Sequence, residues 1–400
     1  MDEATELLAE LVRIPSAGGS AAESEIQHFL AGLLREDGFE VDLWRIPVKE
    51  LAARPGFPGM EVERDQAWGL VARLPGTGEG PSLMFNAHVD VVPPGDLTAW
   101  SADPYGGEVV DGRLYGRGSC DMKGGLVAAL FALRALRETR LRGDVLLACV
   151  PGEEDGGLGT HALLDRGWRA DACVIPEPTG LDVVPANAGA LTFRLTIPGR
   201  AAHAARRERG VSAVEKFWPV FQALRELEGT RNTDVDPLMD RWPLPYAIEI
   251  GTVRAGDWSS SVPGDLVAEG RVGVALGESP AQTRRALEEA VAGVRDPWLA
   301  EHPVEIEWWG GQYAAARNEG DLERHVAEAH LRTTGATPSV WGAPFGSDLR
   351  LMTALGVPTV QYGPGDIEVA HGPDEYVPLD EVETARSTLT TLAQTHCRRA

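Results

Sequence analysis

The sequence predicts an α/β chain, a mostly parallel sheet flanked by helices, with a smaller α+β unit inserted into it. Three features point that way. Short apolar runs alternate with helical patterns through the first 185 residues, strict apolar/polar alternation takes over near Asn187, and helix and strand alternation returns from Asp321. The expected organisation is a first catalytic segment at 1–185, an insert at 186–310 and a second catalytic segment at 311–400.

The elements follow in order. Two amphipathic helices open the chain, the first stopped at Pro15, the second started by a Ser20-to-Glu23 capping box and closed at Gly38. Ile26, Phe29, Leu30, Leu33 and Leu34 form the buried stripe of the second. Strand-like runs come next at 41–46, 69–74, 83–87, 145–150 and 173–175, and Leu126, Leu130 and Leu133 mark a helix between them. In the insert, Leu191, Phe193, Leu195 and Ile197 alternate with Thr192, Arg194 and Thr196, the pattern of a sheet with one wet face. A helix through Val214 to Leu224, strands near 248–253 and 268–274, a helix at 280–294 and a strand at 304–308 complete the unit. A buried strand at 357–361 and a helix at 379–395 close the chain.

Composition narrows the function. With 400 residues and 43% hydrophobic residues, the chain can bury two cores. Its 60 acidic against 37 basic residues give a net charge of −23, which repels nucleic acid and anionic membrane surfaces. Cys120, Cys149, Cys173 and Cys397 are scattered without a CxxC pair, a poor disulfide framework, so a reducing cytoplasm is the expected compartment. Residues 1–14 lack a basic flank and an unbroken apolar run, so neither a secretory leader nor a membrane span is expected.

Five segments carry polar residues suited to chemistry. In Asn86-Ala87-His88-Val89-Asp90, extended backbone puts His88 and Asp90 on one face, where the carboxylate can orient an imidazole that binds a metal. An isolated His-x-Asp serves equally as a structural pair. Gly116-Arg117-Gly118-Ser119-Cys120-Asp121-Met122-Lys123-Gly124-Gly125 has Asp121 where a dinucleotide fingerprint needs its third glycine, and it lacks the Lys-Ser or Lys-Thr of a phosphate loop. What remains is an acid in a glycine-rich turn that something approaches closely. Gly152-Glu153-Glu154-Asp155 follows a buried strand, and neighbouring side chains there point to opposite sides, so Glu153 and Glu154 are expected to do different jobs. Glu177 lies between prolines in Pro176-Glu177-Pro178, and His371 in Ala370-His371-Gly372-Pro373-Asp374-Glu375-Tyr376 follows the last strand.

Taken in order, these segments make the chain resemble the dinuclear metallohydrolase family of acetylornithine deacetylase, succinyl-diaminopimelate desuccinylase, aminoacylase and glutamate carboxypeptidase. The resemblance spans nearly the whole chain. It implies a zinc-exopeptidase-like catalytic domain, two zinc ions (cobalt or manganese being alternatives), and hydrolysis of the amide bond of an N-acyl amino acid; a carboxypeptidase or dipeptidase is the close alternative, a non-catalytic metal-binding homologue the distant one. By that resemblance His88, Asp121 and Glu177 hold one metal, Asp121, Glu154 and His371 hold the other, Asp90 orients His88, and Glu153 is the general base. A cis peptide after Asp121 is implied too. The insert corresponds to a lid that pairs two subunits into a homodimer, with His203 steadying the oxyanion in the partner's site. Arg271, Ser347 and Arg350 are the candidate contacts for a substrate carboxylate.

Overall fold

The computed structural model describes residues 2–398. The chain divides into two compact units. One comprises Met1–Ala186, Arg317–Trp341 and Ser347–Ala400, the other Asn187–Ala316 and Gly342–Gly346.

The first unit is built on a mixed sheet whose strand order begins Glu40–Arg45, Trp68–Leu74, Val145–Val150, Leu83–His88, Ala172–Ile175, Thr359–Gln361, Val183–Asn187. The four strands from Val145–Val150 to Thr359–Gln361 run parallel. They are buried along their whole length, which is why Val145–Val150 and Ala172–Ile175 read as unbroken apolar runs rather than alternations. Trp68–Leu74 runs antiparallel to both of its neighbours, so the expected parallel sheet is confined to its centre.

Helices flank this sheet. Glu3–Arg13 is capped by the Asp2 carboxylate, which accepts the Thr5 N–H at 2.8 Å. The expected box at Ser20 does not form: Ser20 sits at the N-cap of Ala21–Glu36 without a side-chain bond, and Glu23 turns back instead to the N–H of Gly19 and to Arg64. Ile26, Leu30 and Leu34 are fully buried along that helix, while Phe29 and Leu33 are half-buried at the margin. Gly124–Ala135 packs against the closing helix Leu379–His396. A small sheet of Glu108–Val110, Arg113–Tyr115 and Tyr376–Pro378 was not foreseen, because its strands are only three residues long and carry no periodic signal. No helix among the described residues is long and apolar enough to cross a membrane.

The second unit holds a four-stranded antiparallel sheet ordered Ile248–Ala255, Asp265–Val274, Gly189–Pro198, Glu305–Tyr313. Leu191, Phe193, Leu195 and Ile197 point into a core shared with Val220 and Leu224 of the helix Ala213–Arg231 and Leu287 of Pro280–Ala292. The opposite face is wet, and Arg194 there pairs across strands with Glu269 and Glu307.

Candidate active site

Parallel strands deliver their following loops to one edge of a sheet, and here those loops carry the polar residues. His88 is the last residue of Leu83–His88; Glu153 and Glu154 follow Val145–Val150; Glu177 follows Ala172–Ile175; His371 follows Thr359–Gln361 in the next loop. Asp121 comes from the turn before Gly124–Ala135, and its peptide bond to Met122 is cis, as the resemblance implied. Gly125 of this turn and Gly363 of the loop after Thr359–Gln361 make room for close backbone approach. A Cβ on Gly125 would stand 1.8 Å from the Pro176 carbonyl oxygen, and one on Gly363 would stand 2.6 Å from that of Glu177. The close visitor expected at the glycine-rich turn is therefore the backbone that presents Glu177.

The side chains converge. His88 Nε2 is 3.0 Å from Asp121 Oδ1 and 3.9 Å from Glu177 Oε1. His371 Nε2 is 3.3 Å from Asp121 Oδ2 and 3.2 Å from Glu154 Oε2. The two oxygens of Asp121 thus face two different histidines. Donor atoms of His88, Asp121 and Glu154 lie within 4.8 Å of one another, as do those of His88, Glu153 and Glu177.

Electrostatics mark the cluster as unbalanced. Burial pushes the carboxyls of Glu153, Glu154 and Glu177 up, Glu153 and Glu177 well above the usual range; the charge of Asp348 adds to the effect on Glu153, and that of Asp121 to the effects on Glu154 and Glu177. Asp121 goes the other way: burial opposes it, but its contacts with His371 and His88 hold it below the usual range. Against the opposing effect of burial, Asp121 and Glu154 push the His371 imidazole up to about 11. Carboxylates gathered this closely call for cationic charge, and three carboxylates with two imidazoles are the donor set of a zinc-like divalent ion. The residues fit such a metal.

Several expected contributors take other positions. Asp90 was expected to orient His88 with its carboxylate, yet His88 Nδ1 donates to the Asp90 carbonyl oxygen at 2.9 Å, with the nearer carboxylate oxygen at 3.8 Å. The carboxylate instead accepts the N–H groups of Glu153 and Glu154 at 3.3 and 3.2 Å, two donors that a strand end leaves unpaired. Ser347 and Arg350 are both buried and make contacts within the protein. Ser347 Oγ accepts from Gln361 Nε2, and Arg350 is buried and donates to the carbonyls of Ser347 and Gly156 at 2.9 and 2.7 Å, so both hold loops together. Arg271 stands exposed on its strand, opposite Thr192 and Glu249. His203 is exposed at the end of the short strand Ala202–His203, where its Nδ1 accepts the Ala205 N–H at 3.1 Å. Cys120 is buried and in no disulfide.

Sequence reading overlooked some supports of the site. Arg64, fully buried at its side chain, grips Glu23 and Asp155 together, and Asp155 follows the Glu153–Glu154 pair. Asp348 lies buried near Glu153, and Arg117 pairs with Glu375. The third acid of the Glu-Glu-Asp run was the available signal for Arg64, since a buried carboxylate needs a partner.

Residues 84–395 match the model of Peptidase family M20/M25/M40. The chain belongs to this family. It is therefore a metal-dependent hydrolase. A succinyl-diaminopimelate desuccinylase of Rhodospirillum centenum is 38% identical over 89% of this chain and 88% of its own length. An N-formyl-4-amino-5-aminomethyl-2-methylpyrimidine deformylase of Halalkalibacterium halodurans is 26% identical over 99% and 95%. Among solved structures, an M20 family metallo-carboxypeptidase of Sulfolobus solfataricus superposes with a TM-score of 0.77 at 17% identity, covering 99% of each chain, and so shares the fold.

Proposed function

We propose that this M20 hydrolase cleaves the amide bond of an N-acyl-L-amino acid with water activated at a two-metal centre. The observation that carries the reading is Asp121, whose Oδ1 and Oδ2 stand 3.0 and 3.3 Å from His88 and His371 respectively, the arrangement of a carboxylate shared by two ions. His88, Asp121 and Glu177 would hold one metal; Asp121, Glu154 and His371 would hold the other. Zinc suits these donors, and cobalt or manganese can replace it. When bound, such a metal pair lowers the pKa of water and polarises the amide carbonyl.

The protein's own residues do the rest. Glu153 lies with a carboxylate oxygen within 4.8 Å of donor atoms of His88 and Glu177, placed to take the proton of the attacking water and deliver it to the departing amine. Asp90 holds the Glu153 and Glu154 backbone. Arg271, exposed and basic, is the remaining candidate for the substrate carboxylate, and His203 would serve the oxyanion in the site of a second copy of the chain.

The relatives named for removing formyl and succinyl groups from amines support deacylation over peptide cleavage. The test is a panel of N-formyl, N-acetyl and N-succinyl amino acids beside dipeptides, run on protein stripped of metal and reconstituted with Zn²⁺ or Co²⁺. Metal-dependent turnover of the acylated amino acids is expected. Faster turnover of dipeptides would transfer the same site to a peptidase, and a rate indifferent to chelation would discard the mechanism.

A further inference from the structure

Glu375 and Arg117 stand 258 positions apart in the chain, and neither is a candidate ligand. Both are buried, with 0% and 2% exposure. Glu375 Oε1 accepts the backbone N–H groups of Cys120 and Asp121 at 3.0 and 3.1 Å, and Oε2 accepts from Arg117 Nη1. Arg117 Nη2 in turn donates to the His371 carbonyl oxygen at 3.0 Å, while the Trp100 ring lies 5.2 Å from the guanidinium carbon. A continuous chain of polar contacts therefore joins the backbone of Asp121 to the backbone of His371.

Those two residues meet a second time at their side chains, His371 Nε2 being 3.3 Å from Asp121 Oδ2. Beyond these contacts and the Glu154 carboxylate at 3.2 Å, His371 has little to hold it. It lies outside any helix or strand, its side chain is 51% exposed, and its φ of +63° is in the left-handed region that a residue with a Cβ disfavours. His88, by contrast, ends a fully buried strand paired on both sides.

We infer that the Arg117–Glu375 pair is a brace that fixes the separation of Asp121 and His371 and thereby sets the affinity of the one metal position they share with Glu154. The inference rests on the two-position reading proposed above. Arg117 and Glu375 are positioning residues: they act through the ligands and touch no substrate. A pair that served only the stability of the fold would affect both metal positions alike or neither.

The experiment is titration of the chelator-stripped protein with Co²⁺, followed by calorimetry and by visible absorption. The unaltered protein takes up two equivalents. R117K keeps the charge but replaces a fork that reaches Glu375 and His371 together by a single ammonium. E375Q keeps an oxygen for the two N–H groups but turns an amide toward Arg117. R117K loses about tenfold or more in affinity for one equivalent, the usual scale for a group that orients a ligand, and keeps the other within about threefold, whereas E375Q, which also loosens the backbone of the shared Asp121, weakens that equivalent at least as much and the other as well. H371A identifies the affected equivalent, and the R117K/H371A double variant binds as H371A does, because Arg117 acts through His371. Equal weakening of both equivalents in R117K, no weakening of either, or a full additional loss in the double variant would overturn the brace. If melting shows E375Q unfolded, the R117K series decides alone. Uptake of fewer than two equivalents by the unaltered protein would remove the two-position reading, and the brace with it. That result is distinguishable from two tight equivalents persisting in R117K.

Discussion

Glu153 and Glu177 lie buried just past the ends of parallel strands and Asp121 in the turn that meets them, whereas Glu269 and Glu307 stand on the wet face of the inserted sheet, either side of Arg194. The side-chain chemistry is the same and the energetics are opposite. On the wet face, solvent and an arginine directly across the strands satisfy each carboxylate, so the acids are neutral to mildly favourable for folding. At the strand ends burial and mutual repulsion push Glu153 and Glu177 toward their protonated forms, so the acids favour folding only with added positive charge. An acid is thus read as functional from what fails to neutralise it within the protein.

The largest break in this contrast should come from metal removal. Chelation should take turnover to background and lower the melting temperature, both restored by Zn²⁺ or Co²⁺; a melting temperature unmoved by chelation would mean the buried acids need no cation. Next, E153Q should reduce kcat by about 10²–10⁴-fold while leaving metal content intact, because it removes a proton acceptor and no ligand. Metal analysis beside kinetics separates that outcome from simple loss of the site. A buried acid that does have its arginine supplies the third case. R64M leaves Glu23 and Asp155 buried without their cation and should destabilise the chain by about 3–5 kcal/mol in denaturant titrations. D90A frees the N–H groups of Glu153 and Glu154 and should cost about 1–3 kcal/mol, with a fall in kcat larger than any change in KM.

The smallest effect belongs to the wet face. Hydrogen bonding to Arg194 holds the Glu269 carboxyl below its ordinary value, so its contribution to stability is complete above that value and is lost as pH falls through the lowered one. Because the pair is screened by solvent, E269Q should change stability by no more than about 0.5 kcal/mol at neutral pH, and by less at low pH. A larger loss, measured by urea unfolding at both pH values, would erase the contrast between the two faces.

Residues at strand ends were legible because their positions follow from local patterns. An apolar run predicts a buried parallel strand, and the polar residues just past it fall at the edge where such sheets gather their loops; hence His88, Glu153, Glu154, Glu177 and His371 were named in advance. Asp121 was legible through its glycines. Asp90 was placed at the site but given the wrong group, since a two-residue spacing shows which face a side chain shares and is silent on which N–H groups will compete for its oxygens. The internal contacts of Ser347 and Arg350 were hidden in the same way: nothing in a short loop motif shows that a guanidinium will be buried against the Gly156 carbonyl, 194 positions away.

The sequence by itself determined the chemistry available: which carboxylates and imidazoles the chain possesses, where the strands that carry them end, and the alternation that makes the inserted sheet wet on one side. Tertiary structure decided the pairings that give those groups their duties, including Arg64 with Glu23 and Asp155, and Arg117 between Glu375 and His371. Periodicity reports which way a side chain faces. Contacts between buried polar groups depend on loop paths that close over hundreds of residues, and any burial without a suitable partner carries a cost that only the assembled fold can resolve.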